Sequence, residues 1–232
     1  MLIGSGLLAQ SFAVPFSQRD DICIYAAGVS NSTCVDVKEF EREQRLLSES
    51  LRQAMHVGIF VYFGTCSVAD PEVQNAPYVQ HKLEMEKIVA AHPRHLILRL
   101  PQVAGRTPNP HTLLNYLYAR ISRSEAFDLW KNAKRSIIDI DDVVAIARKF
   151  ILDKPAQYSI LNIANPVSYS MIDIVHAMEG VLGKRAVYYL VDRGTEYSID
   201  TSAIEPMLKS AGVEFGGDYL LKVLKKYYGK PS

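Results

Sequence analysis

A threonine, a tyrosine and a lysine are spaced in a way that suits acid–base chemistry. Thr65 closes the apolar run 59–63, and Tyr78 follows with Lys82 four positions later. Because positions i and i+4 share one face of a helix, the phenol and the ammonium would point into one site. A nearby ammonium favours phenolate and lowers the pKa of a phenol, so Tyr78 would exchange protons near neutral pH. With Thr65 on the same oxygen, the site suits interconversion of an alcohol and a ketone.

The Tyr78–Lys82 spacing is weak evidence by itself, because a chain this rich in both residue types holds about one such pair by chance. The alternative is a surface lysine beside a half-buried tyrosine. Three further segments favour the catalytic interpretation.

The first segment predicts a strand, a glycine turn and a helix at the start of the chain. Apolar residues 1–3 precede the pattern Gly-x-Gly-x-x-Ala, which ends at Ala9. Glycines let the backbone turn tightly and approach a pyrophosphate. The residues predicted to contact a dinucleotide here are Gly4, Ser5, Gly6, Leu7 and Leu8. The alternative is a short signal peptide, but the basic first region of such peptides is lacking.

The other two segments are continuous apolar runs, typical of buried parallel strands. Residues 21–28 end in the small residues Ala26, Ala27 and Gly28, which would let a flat ring or a ribose lie against the strand end. Residues 96–103 form a strand that ends at a proline.

These features together resemble the extended branch of the short-chain dehydrogenase/reductase superfamily, most closely the NAD-dependent epimerase/dehydratase family that acts on nucleotide sugars. Tyr78 and Lys82 match the family's Tyr-x-x-x-Lys, and Thr65 matches its catalytic Ser/Thr. Residues 98–105 look like the strand that passes the nicotinamide, and residues 134–143 look like the segment Arg-Asp-Phe-Ile-His-Val-Asp-Asp-Val. The match spans nearly the whole chain, in family order.

The resemblance implies a role for each matched residue. Tyr78 would be the general acid/base, Thr65 would orient the sugar oxygen, and Lys82 would lower the Tyr78 pKa and hold the nicotinamide ribose. The cofactor would be NAD or NADP and the substrate a nucleotide sugar. Further expected cofactor contacts are Ala26, Ala27, Gly28, Pro101 and Val103. Expected substrate contacts are Ser30, Asn31, Cys66, Ser67, Gln102, Asn109, Asn115 and Arg135, of which Arg135 would anchor the diphosphate.

Several of these residues have a purely structural alternative. Ser30 and Asn31 could cap a helix-entry loop. Asn109 and Asn115 could serve turn chemistry and capping. His81 is interpreted as a surface or dimer-face residue rather than a catalytic one.

The chain departs from the family pattern near its start. Ile3 stands where the first glycine of Gly-x-x-Gly-x-x-Gly is expected, and the stretch from Gly6 to Asp21 is far shorter than the about 30 residues of a strand–helix–strand unit. The strand that usually carries the residue recognising the adenine ribose is therefore expected to be missing. The choice between NAD and NADP stays open.

The resemblance also narrows the reaction. Cys66 and Ser67 stand where the dehydratases carry Asp and Glu, so epimerisation or keto-sugar reduction is favoured over dehydration. The alternative is a non-catalytic dinucleotide-binding or partner-binding module on the same fold. A role in polysaccharide biosynthesis is expected from what such relatives usually do.

Alternating elements predict an α/β fold, a Rossmann-like doubly wound parallel sheet in abridged form, with a small C-terminal substrate-binding region. The 232 residues suit a single domain. The predicted core comprises about 1–105 and 135–165, and the substrate-binding region about 106–134 and 166–232.

Composition excludes several classes of protein. The net charge of +1 and its even spread give no case for nucleic acid. No apolar run reaches the about 20 residues of a membrane span. The three cysteines lack metal-ligand spacing, so no metal is expected, and unpaired thiols suit a cytoplasmic protein.

Helices are predicted over residues 37–55, 78–91, 141–152, 170–182, 202–210 and 218–228, and a loop followed by a helix over 109–121. The first two are the helices that pair in the family's homodimers, so a homodimer is expected by resemblance. Leu46, Met85 and Val89 would lie in that face.

Overall fold

The computed structural model describes residues 1–153 and 160–230. Within them the strands are β1 (Leu2–Ile3), β2 (Ile22–Tyr25), β3 (Ile59–Thr65), β4 (His95–Leu100), β5 (Gln102–Ala104), β6 (Phe127–Trp130), β7 (Lys134–Asp139), β8 (Ile160–Asn162), β9 (Ser168–Ser170) and β10 (Tyr188–Val191). The helices are α1 (Leu7–Ala13), α2 (Val37–Gln53), α3 (Pro77–Val89), α4 (Leu113–Arg123), α5 (Ile140–Asp153), α6 (Met171–Leu182), α7 (Glu205–Ala211) and α8 (Tyr219–Tyr228).

A five-stranded parallel sheet forms the centre of the molecule, in the order β1-β2-β3-β4-β8. Its strands are joined by helices that pack on both faces. Val61 of β3 lies in the cluster under α1 and α5, and the next residue, Tyr62, lies in the cluster under α2 and α3. Alternate side chains of one buried strand therefore serve opposite layers. The predicted Rossmann-like, doubly wound fold is confirmed.

The start of the sheet is abridged as predicted. Helix α1 ends at Ala13, strand β2 begins at Ile22, and no strand lies between β1 and β2 within the described range 1–153. Strand β1 pairs directly with β2 and forms one edge of the five-stranded sheet. In this sheet the glycine turn therefore follows an edge strand.

A second cluster lies beside the sheet. It is built mainly from α4, α6 and α8, together with β6. Strand β7 pairs with β5 and β9 in a separate three-stranded sheet, although it falls in the range predicted for the core. Conversely, Ile204 and Val213, which flank α7, pack in the cluster under the main sheet. The proposed division into core and substrate-binding region stays a prediction.

Most predicted helices and strands occur, with ends shifted by a few residues. Helix α6 begins after the N-cap Ser170 and ends at Gly183, which is left-handed (φ 64°) as expected of a C-cap. A further strand is expected over residues 158–164, because they resemble the family's strand before its C-terminal substrate region. Its first two residues lie outside the described part of the chain, and strand β8 lies within the rest.

The predicted dimer face is wrong in two of its residues. Met85 and Val89 are 2% and 0% exposed, and both pack under the sheet with α2. Leu46 is partly buried against the same cluster. Side chains that fill the protomer's own core cannot form a contact with a second copy.

In the described residues, no helix combines the length and apolar character needed to cross a membrane.

Candidate functional site

Two adjoining clefts open at the carboxyl ends of the sheet strands. The glycine-turn cleft, of about 660 Å³, runs from Gly4 past Ala27 and Thr65. The outer cleft, of about 720 Å³, is lined by Trp130 and Arg135 among others. Such a position beyond the strand ends is where open α/β sheets bind ligands.

The predicted catalytic and cofactor-binding residues come together in the glycine-turn cleft. Its lining includes Gly4, Ser5, Gly6, Leu7, Leu8, Ala26, Ala27, Gly28, Thr65, Tyr78, Lys82, Pro101 and Val103. Ser67, Tyr78 and Gln102 line the outer cleft as well. Tyr78 therefore stands where a ligand in one cleft would meet a ligand in the other.

The glycine turn has a conformation that a larger residue would disturb. Gly4 has φ +125°, and a Cβ there would lie 2.4 Å from the carbonyl oxygen of Ala26. The turn thus brings the end of β1 against the end of β2. This close approach requires glycine at position 4.

The three catalytic candidates are held by two elements. Thr65 is the last residue of β3, and its hydroxyl accepts a hydrogen bond from the Ser67 amide at 3.1 Å. Tyr78 and Lys82 lie on one face of α3 and are 8% and 4% exposed. Thr65 and Tyr78 both line the glycine-turn cleft. The Lys82 ammonium lies 5.9 Å from the centre of the Tyr78 ring.

Glu43 of α2, which the sequence analysis did not single out, is at the centre of this site. Its side chain is 0% exposed. One carboxylate oxygen accepts hydrogen bonds from Lys82 Nζ (3.0 Å) and the Tyr62 hydroxyl (2.8 Å). The other accepts from the Val29 amide at 2.6 Å and lies 3.0 Å from His81 Nε2.

The prediction that His81 is a surface or dimer-face residue is wrong, because this side chain is only 7% exposed and pairs with Glu43. The ring also stacks on Phe40, with 4.4 Å between ring centres. A signal for Glu43 was present in the sequence. It precedes Leu47 and Leu51 at intervals of four, on the stripe that α2 buries.

The expected lowering of the Tyr78 pKa by Lys82 stays a prediction, and other features around the phenol act in the opposite direction. Burial raises the pKa of Tyr78 well above its ordinary value, the charge of Glu43 raises it further, and the Thr65 hydroxyl only partly opposes this. Burial would raise the pKa of Glu43 too, but the hydrogen bond from His81 and the charge of Lys82 outweigh it and lower that pKa to about 2. Near neutral pH, Glu43 is a carboxylate that compensates the Lys82 charge.

Gly28 leaves room for this ion pair. A Cβ at position 28 would lie 2.5 Å from Lys82 Nζ and 2.8 Å from Glu43 Oε1. The backbone after β2 therefore passes directly over the buried charges, and a side chain there would displace one of them.

The lining of the glycine-turn cleft suits a ligand that carries phosphates. Among the described lining residues, the charged ones are Arg42, Lys82 and Arg106, and none is an aspartate or glutamate. Together with the open space beside Gly6, this lining fits a dinucleotide.

Most predicted substrate contacts lie along the two clefts. Asn31 and Arg135 line the outer cleft. Ser30 and Asn109 line the glycine-turn cleft, where the Asn109 amide donates to the Ser30 hydroxyl at 3.1 Å. The outer cleft also contains Asp70, whose carboxylate lies 3.8 Å from Arg135 Nη1.

Cys66 and Asn115 line neither cleft. Cys66 is 1% exposed, its thiol donates to the Arg99 carbonyl oxygen at 3.3 Å, and burial raises its pKa to about 12. The Asn115 amide donates to the carbonyl oxygens of Thr107 and Asn109. The first residue is part of the core and the second supports a loop, so the structure does not place them at the site.

Comparison with known proteins gives one family. The model of the NAD dependent epimerase/dehydratase family matches residues 28–164, which is more than half of the chain. No protein with a curated description matches the chain.

Solved structures with the same fold include three nucleotide-sugar enzymes. UDP-glucuronic acid 4-epimerase from Bacillus cereus, in complex with UDP-glucuronic acid and NAD, has a TM-score of 0.75 at 16% identity, covering 97% of this chain and 88% of that one. A UDP-galactose 4-epimerase has a TM-score of 0.69 at 18% identity, with coverages of 92% and 78%. TunA, an NAD-dependent NDP-hexosamine 5,6-dehydratase, has a TM-score of 0.65 at 17% identity, with coverages of 92% and 79%.

Proposed function

Because the chain belongs to the NAD dependent epimerase/dehydratase family, we propose that it oxidises or reduces a carbon of a nucleotide-activated sugar, with NAD or NADP as cofactor. The observation that carries this proposal is the position of Thr65, Tyr78 and Lys82 in the glycine-turn cleft, with Tyr78 shared with the outer cleft. A proton-exchanging phenol between two ligand-sized cavities suits hydride transfer between their occupants.

The glycine-turn cleft would hold the dinucleotide. Gly6 leaves space for the ligand at the turn, and Arg42 and Arg106 supply positive charge for its phosphates. When bound, the nicotinamide accepts or supplies the hydride. Lys82 lines the same cleft and would donate a hydrogen bond to a ribose hydroxyl of the cofactor. Structures of the same fold have been solved with NAD and, for RMD from Pseudomonas aeruginosa, with NADPH.

The outer cleft would hold the nucleotide sugar. Arg135 offers a guanidinium for a diphosphate, and Trp130 offers an aromatic face. The Asp70 carboxylate, 3.8 Å from Arg135 Nη1, would help to orient the guanidinium. The neighbours crystallised with UDP-glucuronic acid and UDP-glucose support this assignment of substrate class.

At the junction, Tyr78 would exchange a proton with the sugar oxygen, and the Thr65 hydroxyl would orient that oxygen. Dehydration is disfavoured, because it needs a further acid and base at the substrate. Cys66 is a buried thiol and Ser67 a hydroxyl, so neither position supplies a carboxylate.

The test is Tyr78→Phe, assayed with NAD(P) and a panel of UDP- and dTDP-linked sugars and keto-sugars. We expect turnover by the wild type and a loss on the order of 10²–10⁴-fold in the variant, because general acid–base catalysis contributes that much. Circular dichroism and the unfolding midpoint should change little, since the ring is retained.

Retained turnover in Tyr78→Phe would disprove the assignment. A wild type that binds NAD(P)H by fluorescence titration but converts none of these sugars would instead favour the non-catalytic dinucleotide-binding module.

A further inference from the structure

Glu43 of α2 contacts the wall of the glycine-turn cleft without lining the cleft itself. Its side chain is 0% exposed, and three of its partners, Val29, Tyr62 and Lys82, belong to that wall. We propose that Glu43 is a positioning residue for the cofactor, which holds the Lys82 ammonium at the place where it meets the nicotinamide ribose. The inference rests on the proposed function and adds a residue to its cofactor site.

The Glu43 carboxylate is fixed by partners on both of its oxygens. Oε1 accepts hydrogen bonds from Lys82 Nζ at 3.0 Å and from the Tyr62 hydroxyl at 2.8 Å. Oε2 accepts from the Val29 amide at 2.6 Å and lies 3.0 Å from His81 Nε2. These partners come from α3, β3 and the loop after β2. The carboxylate therefore cannot turn without leaving a buried donor unpaired, which is unfavourable.

The hydrogen bonds of Lys82 leave one direction for a ligand. An ammonium has three N–H donors. Nζ donates one hydrogen bond to Glu43 and one to the Tyr62 hydroxyl at 3.2 Å, and no other acceptor in the described part of the chain takes one from it. The Tyr62 hydroxyl in turn donates to Glu43. The third N–H is therefore left for the cleft that Lys82 lines, where it would meet a ribose hydroxyl.

A lysine ammonium needs such partners to stay in one place, because it ends a flexible four-carbon stem. Here Glu43 and Tyr62 hold Nζ, and the backbone at Gly28 lies against it, since a Cβ there would be 2.5 Å away. An ammonium that is already ordered does not have to lose side-chain entropy when the ligand binds. Loss of Glu43 should therefore weaken cofactor binding.

The alternative is that Glu43 only supports the fold by compensating a buried charge. The two roles differ in how they depend on Lys82. A positioning residue that acts through Lys82 has no effect on cofactor affinity once the ammonium is removed. A residue that supports the fold at large lowers the affinity whether or not the ammonium is present. A double-mutant cycle separates these cases.

The first experiment is this cycle, measured by fluorescence titration of NADH and NADPH without any sugar. It compares the wild type, Glu43→Gln, Lys82→Met and the double variant. The glutamine oxygen can accept from Lys82 or from Val29 but not from both, because the other end of the amide is a donor. We expect Glu43→Gln to weaken binding about tenfold, the size of one hydrogen bond. In the Lys82→Met background the same change should have less than about a twofold effect.

The control is Glu41→Gln, which removes an exposed acid of the same helix and should bind as the wild type does. Unchanged affinity in a folded Glu43→Gln would overturn the proposal. An equal loss with and without Lys82 would also overturn it. A wild type that binds neither NADH nor NADPH would instead reject the proposed cofactor, and this inference with it.

Circular dichroism shows whether each variant folds. If Glu43→Gln does not fold, Glu43→Asp takes its place in the cycle, because it keeps the charge but withdraws the carboxylate from Lys82 by one methylene group. The same outcomes then decide. If neither variant folds, Glu43 is required for the fold itself and the proposal is overturned.

The second experiment measures steady-state kinetics with a nucleotide sugar that the wild type converts. In Glu43→Gln the KM for the dinucleotide should rise about tenfold, and the KM for the nucleotide sugar should change less than about twofold. A rise in the sugar KM alone would overturn the proposal. A wild type that binds NADH or NADPH but converts no nucleotide sugar would reject the proposed reaction, and the binding cycle would still decide the role of Glu43.

Discussion

Gly28 shows how a single residue is constrained by charges that lie far from it in the sequence. Its Cα lies over the pair formed by Glu43 of α2 and Lys82 of α3. From the sequence alone, Gly28 is expected to let a flat ring or a ribose of a ligand lie against the strand end. The structure adds a second reason for glycine, since the space of a Cβ is already taken by buried charged atoms.

Gly28→Ala is therefore expected to destabilise the protein by about 1–3 kcal/mol, as overpacking does, and to displace the Lys82 ammonium. Gly180→Ala is the matched control. A Cβ at Gly180 of α6 meets nothing within 4 Å, so this change should stabilise by up to about 1 kcal/mol through helix propensity. Urea unfolding measures the free energy of unfolding of both variants. Equal changes in the two variants would contradict the crowding at Gly28.

At the scale of elements, the β1–α1 turn contains two glycines with different structural roles. Gly4 requires a positive φ and a close approach to β2. Gly6 has φ −78° as the N-cap of α1, and a Cβ there would meet nothing. The first glycine serves the fold, whereas the second leaves space in the cleft for a ligand.

Gly4→Ala should lower the free energy of unfolding by about 2 kcal/mol or more, from the strained φ and the contact with the Ala26 carbonyl. Gly6→Ala should change it by less than about 0.5 kcal/mol but weaken NAD(P)H binding roughly tenfold, about 1.4 kcal/mol. Denaturant unfolding and fluorescence titration separate the two effects. Normal dinucleotide affinity in Gly6→Ala would argue against a cofactor at this turn.

At the scale of the whole molecule, the C-terminal region joins the second cluster to the main core. Phe215 and Tyr227 pack against both clusters. Lys226 and Tyr227 bind the Asp139 carboxylate, and the Tyr219 hydroxyl accepts a hydrogen bond from the Asp139 amide and donates one to Asp142. The two clusters should therefore unfold together.

Tyr219→Phe should lower the free energy of unfolding by about 1–3 kcal/mol, because the buried Asp139 amide loses its hydrogen-bond acceptor. The unfolding transition should remain single. Tyr189→Phe, on a side chain that is 64% exposed, is the control and should lie within about 0.5 kcal/mol of the wild type. Calorimetry compares them, and two separate transitions in the wild type would show that the clusters are not coupled.

The homodimer also belongs to this scale and stays a prediction. Met85 and Val89 cannot take part, because both face the protomer's own core. If α2 and α3 pair with a second copy, they must do so through their outer, largely charged faces, and such a contact would weaken with salt.

The local pattern of the sequence by itself determined the order of strands and helices, the glycine turn, and the meeting of Thr65, Tyr78 and Lys82. These follow from short-range regularities: apolar runs define buried strands, parallel strands end at one edge, and i and i+4 share a helix face. Even the abridged start could be predicted, because it is a matter of chain length between Gly6 and Asp21.

Only the tertiary structure decided which side chains turn inward and what they meet there. Glu43 and His81 come from different helices and meet only when α2 and α3 pack on the same face of the sheet. The same packing buries Met85. Cys66 does not line the cleft, because its side chain is buried in the core. The charge compensation between Glu43 and Lys82 likewise depends on distances between helices that no local pattern contains.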